Sequence, residues 1–411
     1  HSHGWTSFTK SLWAATTDGG VCASLYAPCE VTARVGGEGP GTPFTFTVDT
    51  RYPFEESVRI QVHAQAEARF PLYLRVPGWC EGATVAINGV AAKPASAMLP
   101  GTYLRVERTW KDGDTLELTL PMAISVQRWT ANHDSVSVRR GPLTWSLDIA
   151  EEHVARRADD LVVHDGRWQP DVDLEAWPAI EILPASPWNY GLVLDEAAPE
   201  SSFSVERRPW PEDDYPFVQG ASPIALRATG RRIPEWALDR YALVAPLQDS
   251  PARSSEPDEE ITLVPMGAAR LRISAFPVIA TGDGGHQWIA PVLGKKLYEA
   301  RASLCYGGDS IDAVCDDELP ASSSDQTVPR LTFWPHKGSS EWVQAHFAEP
   351  RTVSRVEVYW FDDEAIGGGC RVPASWSVFA RRDGQWVRLA PDAPHGTARD
   401  RFNALARNTR L

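Results

Sequence analysis

The stretch from Phe70 to Leu143 decides the fold, and it reads FPLYLRVPGWCEGATVAINGVAAKPASAMLPGTYLRVERTWKDGDTLELTLPMAISVQRWTANHDSVSVRRGPL. Three segments within it alternate apolar and polar residues, as strands with one buried face do. They are separated by Asn88-Gly89 and Asp112-Gly113, which are dipeptides typical of hairpins and tight turns. The stretch therefore predicts β-sandwich material, and we expect a mainly β chain built of consecutive antiparallel β-sandwich domains.

The composition is that of a folded, acidic protein with several domains. The chain has 411 residues, 43% of them hydrophobic, and a formal net charge of −14. A length of this order suggests two to four domains of roughly 100–200 residues each. The negative charge disfavours binding to nucleic acid or to anionic membrane surfaces, and no apolar run approaches the roughly 20 residues that cross a bilayer. The first residues do not resemble a signal peptide, which leaves the localisation open.

Toward the N terminus the sequence period changes from that of strands to that of a helix. In residues 1–17 the apolar positions recur at intervals of three, four and one, which predicts an amphipathic helix with its apolar face turned inward. The residues concerned are Trp5, Phe8, Leu12 and Trp13. Such a helix has no partner of its own, so we expect residues 1–20 to include the last helix of a larger domain. From residue 21 to about 149 the strand pattern is continuous and predicts one sandwich.

Beyond residue 149 the pattern is less regular. Residues 150–285 carry charged clusters and many prolines before sandwich-like strands return near residue 223. We interpret them as a second β-rich domain that partly returns to the first sandwich. A Gly-rich boundary near residues 280–286 then precedes a separate module, which we place at residues 286–411.

The last module resembles discoidin-like or family-32 carbohydrate-binding modules. In those modules a strand of the form W-x-x-x-x-F…P leads into a strand of the form V…V-x-V-Y-W. The matching residues here are Trp342, Phe347, Pro350, Val356, Val358 and Trp360. The resemblance implies a β-sandwich that could hold oligo- or polysaccharide. Trp334, Trp342, Trp360 and Trp376 could stack on sugar faces, although strand alternation places at least half of them in the core.

The six cysteines predict buried thiols rather than a metal site. They are Cys22, Cys29, Cys80, Cys305, Cys315 and Cys370. None forms a C-x-x-C pair, and no histidine lies at zinc-finger spacing from them. We expect free thiols in β cores, with a Cys305–Cys315 disulfide as the alternative.

Eight strings, taken in order along the chain, carry a wider resemblance. They are LWAATTDGGVCASLYAP (12–28), RYPFEESVRI (51–60), LYLRVPGWC (72–80), INGV (87–90), RVERTWKDGDTLELTLPM (105–122), VSVRRGPLTWSL (136–147), SPWNYGL (186–192) and EITLVPMGAARLRISAFP (260–277). In order and spacing they resemble the part of the β-L-arabinofuranosidase family, glycoside hydrolase family 127, that follows its catalytic barrel.

The resemblance implies that the chemistry lies outside this chain. In that family an N-terminal (α/α)6 barrel performs a retaining hydrolysis in which a cysteine thiolate attacks the anomeric carbon. A zinc ion held by cysteines and a glutamate tunes that thiolate, and a second glutamate serves as acid and base. The first five residues, HSHGW, look like the sequence directly after the nucleophile, so the resemblance implies that residues 1–20 are the terminal helix of a missing (α/α)6 barrel. The resemblance therefore implies a catalytic site and zinc upstream of His1, no catalytic residue, cofactor or metal ligand in this chain, and the barrel as its partner.

Four residues are candidates for binding substrate. His1 could line the mouth of the barrel, and Trp360 could stack on a sugar ring. Asp362 and Asp363 follow the V-Y-W-F strand end, where a sugar- or calcium-binding loop of a discoidin-like module could lie. Calcium needs six to eight oxygen ligands, so two acids alone are weak support for a calcium site.

Other acidic clusters could supply the two carboxylates that glycosidic cleavage needs. They are Glu55-Glu56, Glu212-Asp213-Asp214 and Asp362-Asp363-Glu364. Adjacent carboxylates on a strand point to opposite faces, and those in loops are usually solvated. We therefore expect these clusters to be ordinary surface acids.

The favoured hypothesis is the accessory β-sandwich portion of a glycoside hydrolase that acts on arabinofuranosides or related plant-derived sugars. The main alternative is a non-catalytic carbohydrate-binding or adhesion protein built of sandwiches. A third hypothesis is a self-contained enzyme that uses loop acids such as Asp213 and Asp363.

Overall fold

The chain is mainly β, as the sequence predicts, and it divides into two compact units. A computed structural model describes residues 3–37, 39–92, 98–156, 176–238, 244–282, 284–290, 298–316, 318–347, 349–382, 384–389 and 396–406. The first unit comprises residues 1–151, 184–236 and 246–289, and the second comprises residues 152–183, 237–245 and 290–411. The first unit thus includes much of the segment 150–285.

The N-terminal helix is shorter than the sequence predicts. Helix α1 spans His3–Lys10, and the first strand already begins at Trp13. Trp13 leaves the helical pattern because it stacks on Phe46, with ring centroids 5.1 Å apart. Leu12 is buried, whereas Phe8 is 40% exposed, so the apolar face that the sequence turns inward is only partly covered.

The first ten strands form two sheets that face each other. They are β1 (Trp13–Ala15), β2 (Val21–Ala23), β3 (Cys29–Val35), β4 (Thr42–Thr50), β5 (Ser57–Ala64), β6 (Ala68–Arg75), β7 (Thr84–Ile87), β8 (Val90–Ala91), β9 (Tyr103–Trp110) and β10 (Thr115–Thr119). One sheet has the order β1-β2-β6-β9 and the other the order β3-β4-β5-β10-β7-β8. Strands β2 and β6 are parallel, and the other pairs in these two sheets are antiparallel.

A continuous apolar core lies in this sandwich. Along β4 and β5 every second side chain is buried, which is the period of a strand with one face on the core. Phe44, Phe46 and Phe70 meet edge to face or stacked at centroid distances of 4.9–6.4 Å. Their neighbour Trp110 is fully buried, and its indole Nε1 donates to the Phe70 carbonyl.

The two predicted turns, Asn88-Gly89 and Asp112-Gly113, both form, but they connect different kinds of strand pair. Asn88 and Gly89 both have positive φ and join β7 to β8 as the predicted hairpin. Gly113 also has positive φ, so a turn forms at Asp112-Gly113. That turn joins β9 to β10, which lie in different sheets, and so it connects the two layers of the sandwich.

A third sheet completes the first unit. The next strands are β11 (Ile124–Trp129), β12 (Ser135–Arg140), β13 (Leu143–Leu147), β14 (Glu151–Arg156), β15 (Ala179–Pro184), β16 (Tyr190–Leu192), β17 (Phe203–Arg207), β18 (Ile224–Arg232), β19 (Ala252–Arg253), β20 (Asp258–Pro265) and β21 (His286–Gln287). The sheet has the order β11-β12-β13-β20-β18-β16, with β17 also paired to β18. Two separate two-stranded sheets also form: β19 with β21 in the first unit, and β14 with β15, which belong to the second unit except for Glu151 and Pro184.

The sequence predicts one sandwich up to residue 149, but the strands after residue 122 belong to this third sheet. Its β13 pairs with β20, more than a hundred residues away in the chain. The link back to the sandwich is Arg140, which is 4% exposed and donates to Glu56 at 2.8 Å. At the β12–β13 turn Gly141 has a φ of +56°, and a Cβ there would lie 2.7 Å from the Met122 side chain, so another residue would be strained and would displace Met122.

The second unit is built of short strand pairs. Its remaining strands are β22 (Glu299–Ala302), β23 (Val343–His346), β24 (Arg355–Tyr359), β25 (Val378–Arg382), β26 (Gln385–Leu389) and β27 (Phe402–Ala406). The antiparallel pairs are β22 with β23, β24 with β27, and β25 with β26. Short 3-10 helices of the chain lie at Thr130–Asn132, Pro199–Ser202, Met266–Ala268, Ile311–Val314 and Glu364–Ile366.

Candidate functional site

Three of the four predicted substrate-binding residues lie in one segment of the second unit. Trp360, Asp362 and Asp363 follow directly on strand β24, at the start of a loop that returns at Val372. His1 lies outside the described residues. The segment from Trp360 to Val372 is therefore the candidate site that the structure allows to be built, and we call it the Asp362 loop.

The side chain of Asp362 is an internal anchor of this loop. It is 1% exposed, and its carboxylate accepts hydrogen bonds from the Glu364 and Val372 backbone amides at 3.2 and 3.1 Å. Arg399 Nε donates to the same carboxylate at 2.8 Å. Because these donors already engage both oxygens, a sugar hydroxyl would have to compete with them.

Asp363 connects the start of the loop to its end through two hydrogen bonds. Its carboxylate accepts a hydrogen bond from the Cys370 backbone amide at 2.8 Å, and its carbonyl accepts one from Gly368 N at 2.8 Å. A Cβ on Gly368 would lie 2.0 Å from the Asp363 carboxyl carbon, so the close approach requires glycine. Both aspartates therefore shape the backbone of the Asp362 loop.

Trp360 packs beneath the loop. Its ring meets Trp376 edge to face, with centroids 5.9 Å apart. Trp360 Nε1 is buried without a hydrogen-bond partner in the part of the chain that the structure describes, whereas Trp376 Nε1 donates to the Gly396 carbonyl at 2.9 Å. Neither indole is among the strongly exposed aromatic side chains, so the predicted stacking of Trp360 on a sugar stays a prediction.

The loop exposes charged groups as well as the apolar Ile366. Glu364 accepts hydrogen bonds or ion pairs from Arg399 and Arg371 at 2.8 and 2.5 Å. The pKa of Arg399 is raised above its usual value, mainly by its hydrogen bond to Glu364 and then by that to Asp362. The charges around the buried Asp362 carboxylate thus neutralise one another and stabilise the loop. They leave no free acid–base pair at its centre.

A second buried carboxylate lies in the same unit. Asp309 is 1% exposed at its side chain, accepts a hydrogen bond from Thr332 at 2.5 Å and pairs with Arg330 at 3.4 Å. The Arg330 guanidinium in turn stacks 4.7 Å above the Phe361 ring. Arg330 thus connects Asp309 to the start of the Asp362 loop.

The other acidic clusters are also engaged by neighbouring groups. Glu56 accepts from Arg140 and from the Met122 amide. Asp213 accepts from the Tyr215 amide and Asp214 from Trp210 Nε1, at 3.1 and 2.6 Å. The contacts of the described residues do not place any two of these carboxylates across a common cleft.

None of the six cysteines forms a disulfide, so the alternative Cys305–Cys315 disulfide is wrong. Cys22, Cys80 and Cys305 are buried as predicted, whereas Cys29, Cys315 and Cys370 are only half-buried. Burial raises the pKa of the Cys22, Cys29, Cys80 and Cys370 thiols, and it raises the pKa of Cys305 to about 11. A zinc ligand or nucleophile needs the opposite shift.

Among the described residues no group of three or more His, Cys, Asp or Glu side chains could hold a metal ion. The described thiols therefore do not fit the zinc site of the family that the sequence resembles. No helix in the described part of the chain is long and apolar enough to cross a membrane.

Exposed aromatic residues elsewhere in the second unit were only partly found from the sequence. Trp334 and Trp342 are exposed, and Lys337 Nζ lies 5.0 Å from the centre of the Trp334 ring. Phe379 and Trp386, on strands β25 and β26, were missed. Their signal is the alternation in VFARR and QWVRL, which places an aromatic residue opposite an arginine on each strand.

Comparison with known proteins gives one family match. Residues 20–122 match the model described as beta-L-arabinofuranosidase, GH127 middle domain. No curated protein sequence matches the chain.

Solved structures with similarity to the chain include a GH127 beta-L-arabinofuranosidase from Geobacillus stearothermophilus T6, at 21% identity and a TM-score of 0.42, over 66% of this chain and 34% of that one. A structure titled glycoside hydrolase has 20% identity and a TM-score of 0.41, over 66% of this chain and 37% of that one. A GH127 beta-arabinofuranosidase has 18% identity and a TM-score of 0.41, over 65% and 36%. The chain thus spans about a third of the length of these structures. The sandwich of residues 20–122 is similar to the middle domain of glycoside hydrolase family 127.

Proposed function

We propose that this chain is the accessory β-sandwich portion of a glycoside hydrolase acting on arabinofuranosides or related plant-derived sugars. The observation that supports the proposal is the family match over residues 20–122. Those residues contain strands β2–β10 of the two facing sheets and their shared apolar core. A sandwich of this kind is a packed structural domain, and its described side chains form no catalytic pair.

On this proposal the hydrolysis is performed by an N-terminal (α/α)6 barrel with a zinc-bound cysteine nucleophile. The raised pKa values of the buried thiols support the view that the chain's own described cysteines do not take that role. The sandwich would brace the barrel, and the second unit, as a discoidin-like module, would hold oligo- or polysaccharide.

The first test is an activity assay of the purified chain. With p-nitrophenyl β-L-arabinofuranoside we expect no release of p-nitrophenol above the buffer control. Release by the chain alone would contradict the accessory role. In that case loss of activity on Asp213→Asn or Asp363→Asn would identify the loop acids as the catalytic groups.

The second test is the reading frame around the chain. We expect the sequence upstream of the codon for His1 to encode an α/α barrel with a paired-cysteine motif. The protein that includes this segment should release p-nitrophenol and lose that activity with a zinc chelator. A start codon and a secretion signal immediately before His1 would instead favour the second candidate function.

That second candidate is a non-catalytic carbohydrate-binding or adhesion protein. The observation that favours it is the exposure of aromatic rings in the second unit, where Trp342 and Trp386 are 52% and 55% exposed. Exposed aromatic rings are typical of sugar-binding surfaces. Binding of glycans by the chain, without any hydrolysis by the protein encoded by the complete reading frame, would establish this function in place of the first.

A further inference from the structure

The β25–β26 hairpin of the second unit collects two aromatic and two basic side chains on one face. The strand register pairs Phe379 with Arg388 and Arg381 with Trp386. Residues paired across antiparallel strands point to the same side of the sheet, and alternate residues along each strand do so as well. These four side chains therefore share one surface, which we call the aromatic–arginine face.

The aromatic–arginine face is open to solvent. Phe379 and Trp386 are 50% and 55% exposed, and Arg381 and Arg388 are exposed too. On the opposite face of the hairpin Leu389 is buried and Val378 is half-buried. Val387 on that opposite face is 42% exposed, so the hairpin packs there only through its Val378–Leu389 end. Two large aromatic rings exposed together, unlike a single exposed ring, are typical of a binding surface.

The arginines of this face also differ from others in the same unit. Arg355, Arg371 and Arg399 each pair with a carboxylate at 2.5–2.8 Å. Arg388 donates to the Ser377 hydroxyl at 2.9 Å, and among the described residues neither Arg381 nor Arg388 has a carboxylate within ion-pair distance. The face is thus a local cationic surface on a chain whose formal net charge is −14. Such a surface is complementary to an anion.

We propose that the aromatic–arginine face binds a glycan that carries uronic acid residues. The C–H face of a sugar ring stacks on Trp386 or Phe379, and the uronate carboxylate accepts paired hydrogen bonds from an arginine guanidinium. The inference rests on the proposed function for the choice of a glycan among anions. The high negative charge of the whole chain disfavours the dense phosphate backbone of a nucleic acid.

The test is the binding of trigalacturonate to the full chain, measured by calorimetry at low ionic strength. Its methyl ester is the matched probe because it lacks the charge and keeps the sugar. The two variants are Trp386→Ala and the double substitution Arg381→Gln with Arg388→Gln. The control is Arg382→Gln, which removes one positive charge, half that of the double variant, from the opposite face of the hairpin, where the register pairs Arg382 with Gln385.

We expect trigalacturonate to bind and the methyl ester to bind at least ~10-fold more weakly, the effect of losing a hydrogen bond to a charged group. Both variants should raise the Kd at least ~10-fold, while Arg382→Gln should change it less than ~2-fold. Added salt should weaken binding because the face is exposed. Since all substituted side chains are exposed, circular dichroism of the variants should match that of the parent chain.

Three results would overturn the proposal. They are no binding of trigalacturonate, equal binding of the methyl ester, and equal loss of binding with Arg382→Gln. Tighter binding of a single-stranded oligonucleotide that fails in the double arginine variant would identify a nucleic-acid surface instead. The binding measurement and the hydrolysis assay can fail independently, because one measures complex formation and the other product release.

Discussion

The sandwich of residues 20–122 and the second unit are held together by different kinds of contact. In the sandwich the buried residues are large and apolar, with Phe44, Phe46, Phe70 and Trp110 at the centre. In the second unit the described buried apolar residues are mostly small, and polar anchors such as Asp362 are buried with them. Apolar burial therefore stabilises the sandwich, whereas hydrogen bonds to buried side chains stabilise the loops of the second unit.

The largest effect is expected in the sandwich core. Phe46 is fully buried between Trp13 and Phe70, with centroids 5.1 and 6.2 Å away. Replacing Phe46 with Ala should leave a cavity and lower the free energy of unfolding by about 3–5 kcal/mol. Urea denaturation followed by circular dichroism measures this change.

The matched control for Phe46→Ala is Tyr103→Ala in the same sandwich. Tyr103 is 49% exposed, so its loss should cost about 0.5 kcal/mol or less. If the two substitutions had equal effects, apolar burial would not be what holds the sandwich together.

The next largest effect is expected at the Asp362 loop. Asp362→Ala removes a buried acceptor for two backbone amides and Arg399, and leaves the buried amides without partners. We expect a loss of about 2–3 kcal/mol in the second unit. Hydrogen exchange of the Val372 amide should show it directly, because that amide donates to Asp362.

Glu357→Ala is the control for Asp362→Ala, since Glu357 is an exposed carboxylate paired with the exposed Arg355 in the same unit. The control should leave exchange at Val372 unchanged, because exposed ion pairs contribute little. Unchanged exchange at Val372 in Asp362→Ala as well would show that the loop does not depend on its buried carboxylate.

The same contrast explains which parts of the structure could be predicted from the sequence. The sandwich strands were predicted because Phe44, Phe46 and Val48 alternate with polar residues, and this local period follows directly from burial on one face. Asp362 and Arg399 lie 37 residues apart, and no local period records that they meet. The sequence therefore placed Asp362 just after a strand, as the structure does, but it could not show that the carboxylate accepts hydrogen bonds from protein donors.

Sheet membership was harder to predict than strand position for a related reason. The segment around Leu143 was correctly recognised as a strand. Its partner strand β20, in which Pro265 pairs with Trp145, lies far along the chain. Alternation states which face of a strand is buried and not which strand lies beside it. The third sheet could therefore be found only in three dimensions.

Alkaline pH should lower the free energy of unfolding of both regions by a smaller amount. Burial raises the pKa of Cys305, in the second unit, from 9.0 to about 11, and that of Tyr52, beside the sandwich core, from 10.0 to about 12. The folded state holds each proton more tightly than the unfolded state. The resulting stabilisation is complete below the unfolded pKa and is lost as the pH rises through the folded pKa.

At pH 10.5 this linkage predicts a loss of about 2 kcal/mol from Cys305 and about 1 kcal/mol from Tyr52. Denaturation between pH 8 and 10.5 should therefore show both regions weakening, since the pKa values of Cys22, Cys29 and Cys80 in the sandwich and of Cys370 in the second unit are raised as well. Cys305→Ala should reduce the pH dependence of the second unit, and Tyr52→Phe should reduce that of the sandwich. A pH dependence that neither substitution alters would place the titrating groups elsewhere.

The smallest effect is expected on the outer face of the sandwich, where the groups resemble those around Asp362 but are exposed. Tyr73 donates to the Asp18 carboxylate at 2.6 Å, and Arg105 donates to the Tyr73 hydroxyl at 2.9 Å. The pKa of Asp18 is lowered, first by its hydrogen bond from Thr16 and then by that from Tyr73. Because water can replace each partner, Tyr73→Phe should leave the urea midpoint unchanged within error at neutral pH. The Asp18 pKa, followed by NMR, should rise toward its usual value in the same variant. A large shift of the midpoint would mean that this exposed network contributes as much as the buried Asp362 anchor, and burial would then not be what distinguishes the two regions.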